Sequence, residues 1–140
     1  MSIETNRREV ALRWTGEGFI LEGTTSSGAP VLLDGNSVRG PAPMEALLSA
    51  LAGCMAVDIQ AILEKSRVPL EALEVRVVGE RAPEPPKRFT RIRMVFGLRG
   101  PSEADEGKVL RAIQLSEEKY CSVHHTLRSD LEIQTVYERL

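Results

Sequence analysis

A chain of 140 residues, 42% hydrophobic and 27% charged, has room for one domain with a core of its own and none of the bias of a disordered segment. Its formal net charge of -2 provides no long-range attraction to nucleic acid or to an anionic membrane surface, so neither is expected as a partner. The stretch Met1 to Val10 is polar and holds no apolar core for a secretory signal, which predicts a cytoplasmic protein whose two cysteines stay reduced.

Val10, Leu12 and Trp14 alternate with Ala11 and Arg13, the period of a strand. A second strand is predicted from Phe19 to Glu22 and a third from Ala29 to Leu33, ended by Asp34-Gly35. The Pro/Gly-rich break from Gly35 to Pro43 leads into a long helix, predicted from Pro43 to Ser66. Pro43 is a favoured early helical residue, Glu45 in the first turn suits the helix dipole, and Pro69 lies just past the end. A strand from Leu73 to Glu80 follows, then a break at Pro83 to Lys87, then a strand from Thr90 to Phe96. In this strand Ile92, Met94, Phe96 and Leu98 share one face while Arg91 and Arg93 point the other way. The basic run Lys87, Arg88, Arg91, Arg93 and Arg99 therefore reads as a solvated strand face. After Gly97 to Pro101, Ser102 with Asp105 three residues on can cap a second helix reaching Tyr120, and a last strand runs from Leu131 to Tyr137. The order β-β-β-α-β-β-α-β, rich in hairpins, predicts a single α+β domain over residues 1–140 with a mainly antiparallel sheet. Neither a glycine-rich dinucleotide fingerprint nor a P-loop occurs.

The long helix is the informative element. Met44, Leu47, Leu48, Leu51, Met55, Ile59 and Ile62 form an apolar stripe, yet the far side is not polar: from Ala46 to Val57 there is no charge at all. A helix apolar all round is buried all round, and this run is shorter than the ~20 residues that span a bilayer. The small residues Ala50, Gly53 and Ala56 permit close approach of a second chain, so a homodimer is predicted with the Leu47 to Ile62 helix in its interface.

Cys54 sits in the middle of this stretch with Asp58 one turn on, on the same face. Plain burial is the commonest fate of a free cysteine. A carboxylate on the apolar stripe, however, is costly unless paired, and by itself it raises the pKa of the thiol beside it. A thiolate at Cys54 would need a cation, for which Arg13, Arg39, Arg91 and Arg93 are candidates. Cys121 lies where the second helix ends and a short new one begins, and a helix N-terminus favours a thiolate. The spacing Cys121-x-x-His124-His125, with Cys54 as a further ligand, raises a zinc alternative. Adjacent histidines on a helix diverge and no second pair at ligand spacing exists, so no metal or other cofactor is expected. A Cys–His nucleophile pair would lack an oxyanion hole.

The segments Pro41-Ala42-Pro43-Met44-Glu45-Ala46-Leu47-Leu48 and Ala50-Leu51-Ala52-Gly53-Cys54 resemble the central-helix motif of the OsmC/Ohr family, the osmotically inducible and organic hydroperoxide resistance proteins. Tyr120-Cys121-Ser122-Val123 resembles the family's second cysteine motif, and Asp34-Gly35-Asn36-Ser37 is most similar to an uncharacterised subgroup. The resemblance covers almost the whole chain. It implies an OsmC-like α+β fold, an intertwined homodimer with long central helices, a peroxidatic Cys54, a resolving Cys121 and a catalytic Glu45. The implied activity is thiol-dependent reduction of organic hydroperoxides in oxidative-stress defence, reset by an external dithiol. Because Cys54 would have to shield a sulfenic acid, it is expected to be the more buried of the two thiols. Two departures stand out. The family's peroxidases carry the helix-start Glu ten residues before the reactive cysteine, whereas Glu45 is nine before, on the opposite side of an ideal helix. Their Gly-Gly-Arg-Asp-Gly segment, which carries an arginine, is replaced here by Thr15-Gly16-Glu17-Gly18. Other functions open to the same sequence are a non-enzymatic dimer that binds an apolar small molecule or senses redox state, and an enzyme using Cys54 alone as a nucleophile on other substrates.

Overall fold

The computed structural model describes residues 6–140, so the first half of the polar stretch read above for a secretory signal lies outside the described residues. In chain order the elements are β1 (Val10–Trp14), β2 (Ile20–Thr25), β3 (Pro30–Asp34), α1 (Pro43–Lys65), β4 (Ala72–Arg81), β5 (Phe89–Arg99), a 3-10 turn (Glu103–Asp105), α2 (Glu106–Leu115), a π-helical turn (Ser116–Tyr120), α3 (Ser122–Thr126) and β6 (Glu132–Arg139). The chain divides into two compact units, one up to Leu47 and one from Leu48 to Leu140.

The first unit is an antiparallel meander in the order β1-β2-β3, with Leu12 opposite Gly23 and Gly23 opposite Val31. The turn between β1 and β2 is tied by the Trp14 indole, whose Nε1–H donates to the Gly18 carbonyl at 3.0 Å. All of β1 is exposed, Trp14 at 60%. Asp34, at the end of β3, is buried and organises the loop toward α1: its carboxylate accepts from the backbone N–H of Asn36 at 2.9 Å and of Arg39 at 3.0 Å. These amide donors, Arg39 first, hold its carboxyl below the usual range.

The second unit carries a sheet in the order β4-β5-β6. β4 and β5 are antiparallel, with Val77 opposite Met94. Three of the four strand pairings are antiparallel, in line with the mainly antiparallel sheet expected, while β6 lies parallel to β5, with Phe96 beside Tyr137. The reason is the connection: β5 returns to β6 through a helical crossover, the link that parallel neighbours require. As the central strand, β5 buries Ile92, Met94, Phe96 and Leu98 on one face, while Arg91 and Arg93 face solvent. Arg91 pairs with Glu132 at 3.0 Å and Glu80 at 3.7 Å across the neighbouring strands, so the basic run is the solvated face its alternation predicts. Gly79 on β4 lets the Phe89 ring lie directly against the backbone, since a Cβ there would meet Phe89 Cε1 at 2.5 Å.

Leu51, Met55, Ile59 and Leu63 of α1 are each 0% exposed, a strict i, i+4 line. The predicted stripe continued to Ile62, but Leu63 takes the buried place and Met44, Leu47 and Leu48 are half-buried. A buried line that follows the i+4 ridge runs at an angle to the axis, so it drifts off a stripe drawn by mixed three- and four-residue steps. Burial all round is not met within the chain. Ala50, Gly53 and Val57 form an exposed face, Val57 at 62%. The helix has 23 residues, with a mean hydropathy of 1.9 over an 18-residue stretch, long and apolar enough by length and composition to cross a membrane, contrary to the shortness read from its uncharged run. Its continuous buried line and the Asp58 carboxylate at mid-length are features of a core helix.

Ser102 and Asp105 form the predicted capping box. Asp105 Oδ2 accepts from the Ser102 backbone N–H at 3.1 Å while the Asp105 N–H donates to the Ser102 carbonyl at 3.0 Å. One helical run then passes through three hydrogen-bond registers: 3-10, α and π. In the π turn the Cys121 N–H donates to the Ser116 carbonyl five residues back, at 2.9 Å.

Candidate active site

Two elements of the second unit meet at the cysteines. Cys54 and Asp58 stand on consecutive turns of α1, and Cys121 begins α3 directly after the π turn. The Sγ of Cys54, the Sγ of Cys121 and a carboxylate oxygen of Asp58 all lie within 4.8 Å of one another. The thiols, 67 residues apart in sequence, are thus brought face to face, and both cysteines are free. Beside them, Asp58, Ala61, Ile62, Lys65, Ser66, Leu115 and Tyr120 line a cavity of about 330 Å³.

Ser116 completes the cluster. It is 0% exposed, and its hydroxyl donates to Asp58 Oδ2 at 2.9 Å. On an ideal α-helix Ser116 and Cys121 would stand about 140° apart, whereas a π turn, closing at five residues, draws them toward one side. Both then reach Asp58. Ser116 was not predicted, although a signal existed. With Val109, Ala112 and Ile113 it lies on the apolar stripe of its helix, and a hydroxyl on a buried stripe needs a partner.

Cys121 occupies the N-terminal cap of α3, as expected, and its Sγ accepts from the His124 N–H at 3.3 Å. The expected activation does not follow. Burial pushes the Cys121 thiol up to about 11, the His124 amide opposes this, and Cys54 and Asp58 add to the rise. Burial also reverses the predicted order: Cys121 is 0% exposed, whereas Cys54 is the partly accessible thiol. The turn that delivers Cys121 lies inside the unit, while Cys54 borders the open Ala50–Gly53–Val57 face of α1.

Glu45 belongs to the first unit and is engaged there. Its Oε1 accepts from the Ala42 N–H at 2.9 Å and from the Ser37 hydroxyl. The hydroxyl first, then the amide, hold its carboxyl below the usual range. This is the work of a helix-start carboxylate. Of the four candidate arginines, Arg91 is taken by Glu80 and Glu132, and Arg39 pairs with Glu17 at 3.7 Å. Among the described residues of the second unit, no lysine or arginine forms an ion pair with Asp58. His124 and His125, their rings 5.6 Å apart and tilted by 52°, are not members of the thiol cluster, so the zinc pattern read from Cys121 and these histidines does not assemble.

An α+β chain of this topology, with a cysteine pair spanning the central helix and the crossover, has the OsmC-type architecture. The chain belongs to the OsmC family: residues 34–136 match the family model described as OsmC-like protein. It is similar to the protein YhfA of Escherichia coli strain K12, at 39% identity over 131 residues, 93% of this chain and 96% of that protein. A crystal structure of a hypothetical protein from Aquifex aeolicus superposes with a TM-score of 0.83 at 27% identity, covering 96% of both chains. The organic hydroperoxide resistance protein OhrB of Bacillus subtilis shares the fold, with a TM-score of 0.62 at 14% identity, covering 94% of this chain and 98% of that one.

Proposed function

We propose that this protein is a two-thiol hydroperoxide reductase of oxidative-stress defence, working in the cytoplasm as a homodimer, with Cys54 as the attacking thiol and Cys121 as the resolving one. The observation that carries the reading is the pair of sulfurs within 4.8 Å of each other. The Cys54 thiolate takes the distal oxygen of a hydroperoxide, becoming a sulfenic acid, and the leaving alkoxide picks up a proton to depart as an alcohol. The Cys121 thiol then attacks the Cys54 sulfur, forming the disulfide and expelling water. An external dithiol restores both thiols and is itself oxidised. The accessibilities within the single chain suit these roles: Cys54 is the partly accessible thiol, and Cys121 is hidden with its proton in place until its neighbour has reacted. The organic hydroperoxide resistance proteins of the same fold supply the substrate class. The apolar walls Ala61, Ile62 and Leu115 of the adjoining cavity favour a bulky organic hydroperoxide over hydrogen peroxide, by ~0.8 kcal/mol per buried CH₂. The exposed Ala50–Gly53–Val57 face of α1 supports a second copy as its cover. Glu45 would act by fixing the helix start.

The test follows peroxide consumption and intact mass with cumene hydroperoxide and a dithiol. Cys54→Ser abolishes turnover. Cys121→Ser completes about one turnover and then accumulates sulfenic or sulfinic acid at Cys54. Normal turnover of Cys121→Ser removes the resolving role. No turnover of any hydroperoxide by the native protein leaves a dimer that binds an apolar ligand in the cavity beside Asp58.

A further inference from the structure

We propose that Cys54, Asp58 and Cys121 form a binding site for a thiophilic divalent cation, zinc foremost, braced by Ser116. The donor set decides the class of ion. Two sulfurs and one carboxylate oxygen suit a borderline-soft cation, whereas magnesium and calcium take six or more oxygens. The geometry is close to what such an ion needs. With Zn–S bonds of about 2.3 Å, the edge of a tetrahedron is about 3.8 Å. The three donor atoms already lie within 4.8 Å of one another. Side-chain adjustments of no more than about 1 Å would close the set.

The donors are also held in place before any ion arrives. Cys54 and Asp58 project from consecutive turns of a 23-residue helix, and Cys121 is pinned by the π turn. Each of two donors has an orienting partner of the kind that metal ligands carry. The buried Ser116 hydroxyl donates to Asp58 Oδ2 at 2.9 Å and so fixes the carboxylate. The His124 N–H points at Cys121 Sγ from 3.3 Å. Charge argues in the same direction. No lysine or arginine among the described residues of the second unit forms an ion pair with Asp58, although Lys65 lines the same cavity, so an acidic group and two thiols face each other with no bonded cation. An ion would supply it, the two thiol protons leaving to the solvent. The fourth position of a tetrahedron would remain for water, in keeping with the cavity that Asp58 borders.

This inference goes beyond the reductase reading and does not need it: an ion on both sulfurs and a peroxide on Cys54 exclude one another, and binding is measured without turnover. Reduced, chelator-stripped full-length protein is titrated with Zn²⁺ alone in competition with a chromophoric chelator. One zinc per chain is expected, with a Kd of about 1 µM or tighter. Co²⁺ in its place should give sulfur-to-cobalt charge-transfer absorption in the near ultraviolet and the intense visible bands of a tetrahedral ion. Zinc should also protect both cysteines of the native protein from iodoacetamide. Cys54→Ser should lose stoichiometric binding. Asp58→Asn should weaken it at least about tenfold, with both thiols still titratable after unfolding. Substoichiometric zinc, cobalt spectra without thiolate bands, or affinity unchanged in both variants would overturn the proposal. Should Asp58→Asn fail to fold, the cobalt spectrum and alkylation protection of the native chain decide alone. Zinc bound without any peroxide turnover would sink only the reductase reading, and turnover without zinc binding only this one.

Discussion

In the first unit, strand β1 leaves all five of its residues exposed, with Val10 at 56%, Leu12 at 42% and Trp14 at 60%. In the second, β5 buries Ile92, Met94, Val95, Phe96 and Leu98 to 7% or less. Both strands alternate, and both carry large apolar side chains. The difference lies in their neighbours: β1 is an edge strand with one partner, while β5 is central, flanked by β4 and β6. Alternation therefore marks which side chains share a face, and only the covering layer turns that face into a core. The homodimer proposed above would cover β1 and the Val57 face of α1 with a second copy.

The largest expected effect lies in the second unit. Phe96→Ala should lower stability by ~3–5 kcal/mol in urea unfolding, because a fully buried ring leaves a cavity. Its counterpart in the first unit, Trp14→Ala, sharpens the contrast. A residue as exposed as Trp14 is in the single chain costs at most about 0.5 kcal/mol, and a loss several times larger would show that a second copy covers β1. Trp14 is also the only tryptophan, so its fluorescence reports the same thing directly. In the native protein it should resist acrylamide and emit to the blue of the urea-unfolded chain.

Next in size is Val57→Asp, which places a charge on the open face of α1 without touching the buried line. Light scattering at micromolar concentration should show the native chain as a dimer and this variant shifted toward monomer. A native chain of clean monomer mass would remove the dimer. A smaller effect follows from the capping box: Asp105→Ala should cost about 1 kcal/mol, by freeing the Ser102 amide at the start of the crossover helix.

The smallest concerns pH. Arg128, hydrogen-bonded to Asp130 at 2.9 and 2.8 Å, holds that carboxyl down to about 2. Its folded value is depressed, so whatever the pair contributes is present above the unfolded carboxyl's pKa, ~3.9, and fades as pH falls toward 2. The pair is exposed, so the urea midpoint of Asp130→Asn at neutral pH should barely move, while an NMR titration of Asp130 should place its midpoint near 2.

What the sequence by itself determined are the relations that span a turn or two of backbone. The start of α1 at Pro43, the Ser102–Asp105 box, the pairing of Cys54 with Asp58 at i+4 and the split faces of β5 all follow from helical and strand periods, which act within a few residues whatever the rest of the chain does. The family was legible for a related reason, since its motifs are runs along α1 and around Cys121. The tertiary structure alone decided which distant residues meet. Ser116 reaches Asp58 across 58 residues, and it does so through a π turn, whose single extra residue per turn no hydrophobic pattern encodes. Nor could periodicity rank the two thiols. Cys54 was expected to be the more buried because its implied role has it shield a sulfenic acid, but accessibility is set by what packs over a face. Within this chain the crossover covers Cys121, while the face beside Cys54 is left open.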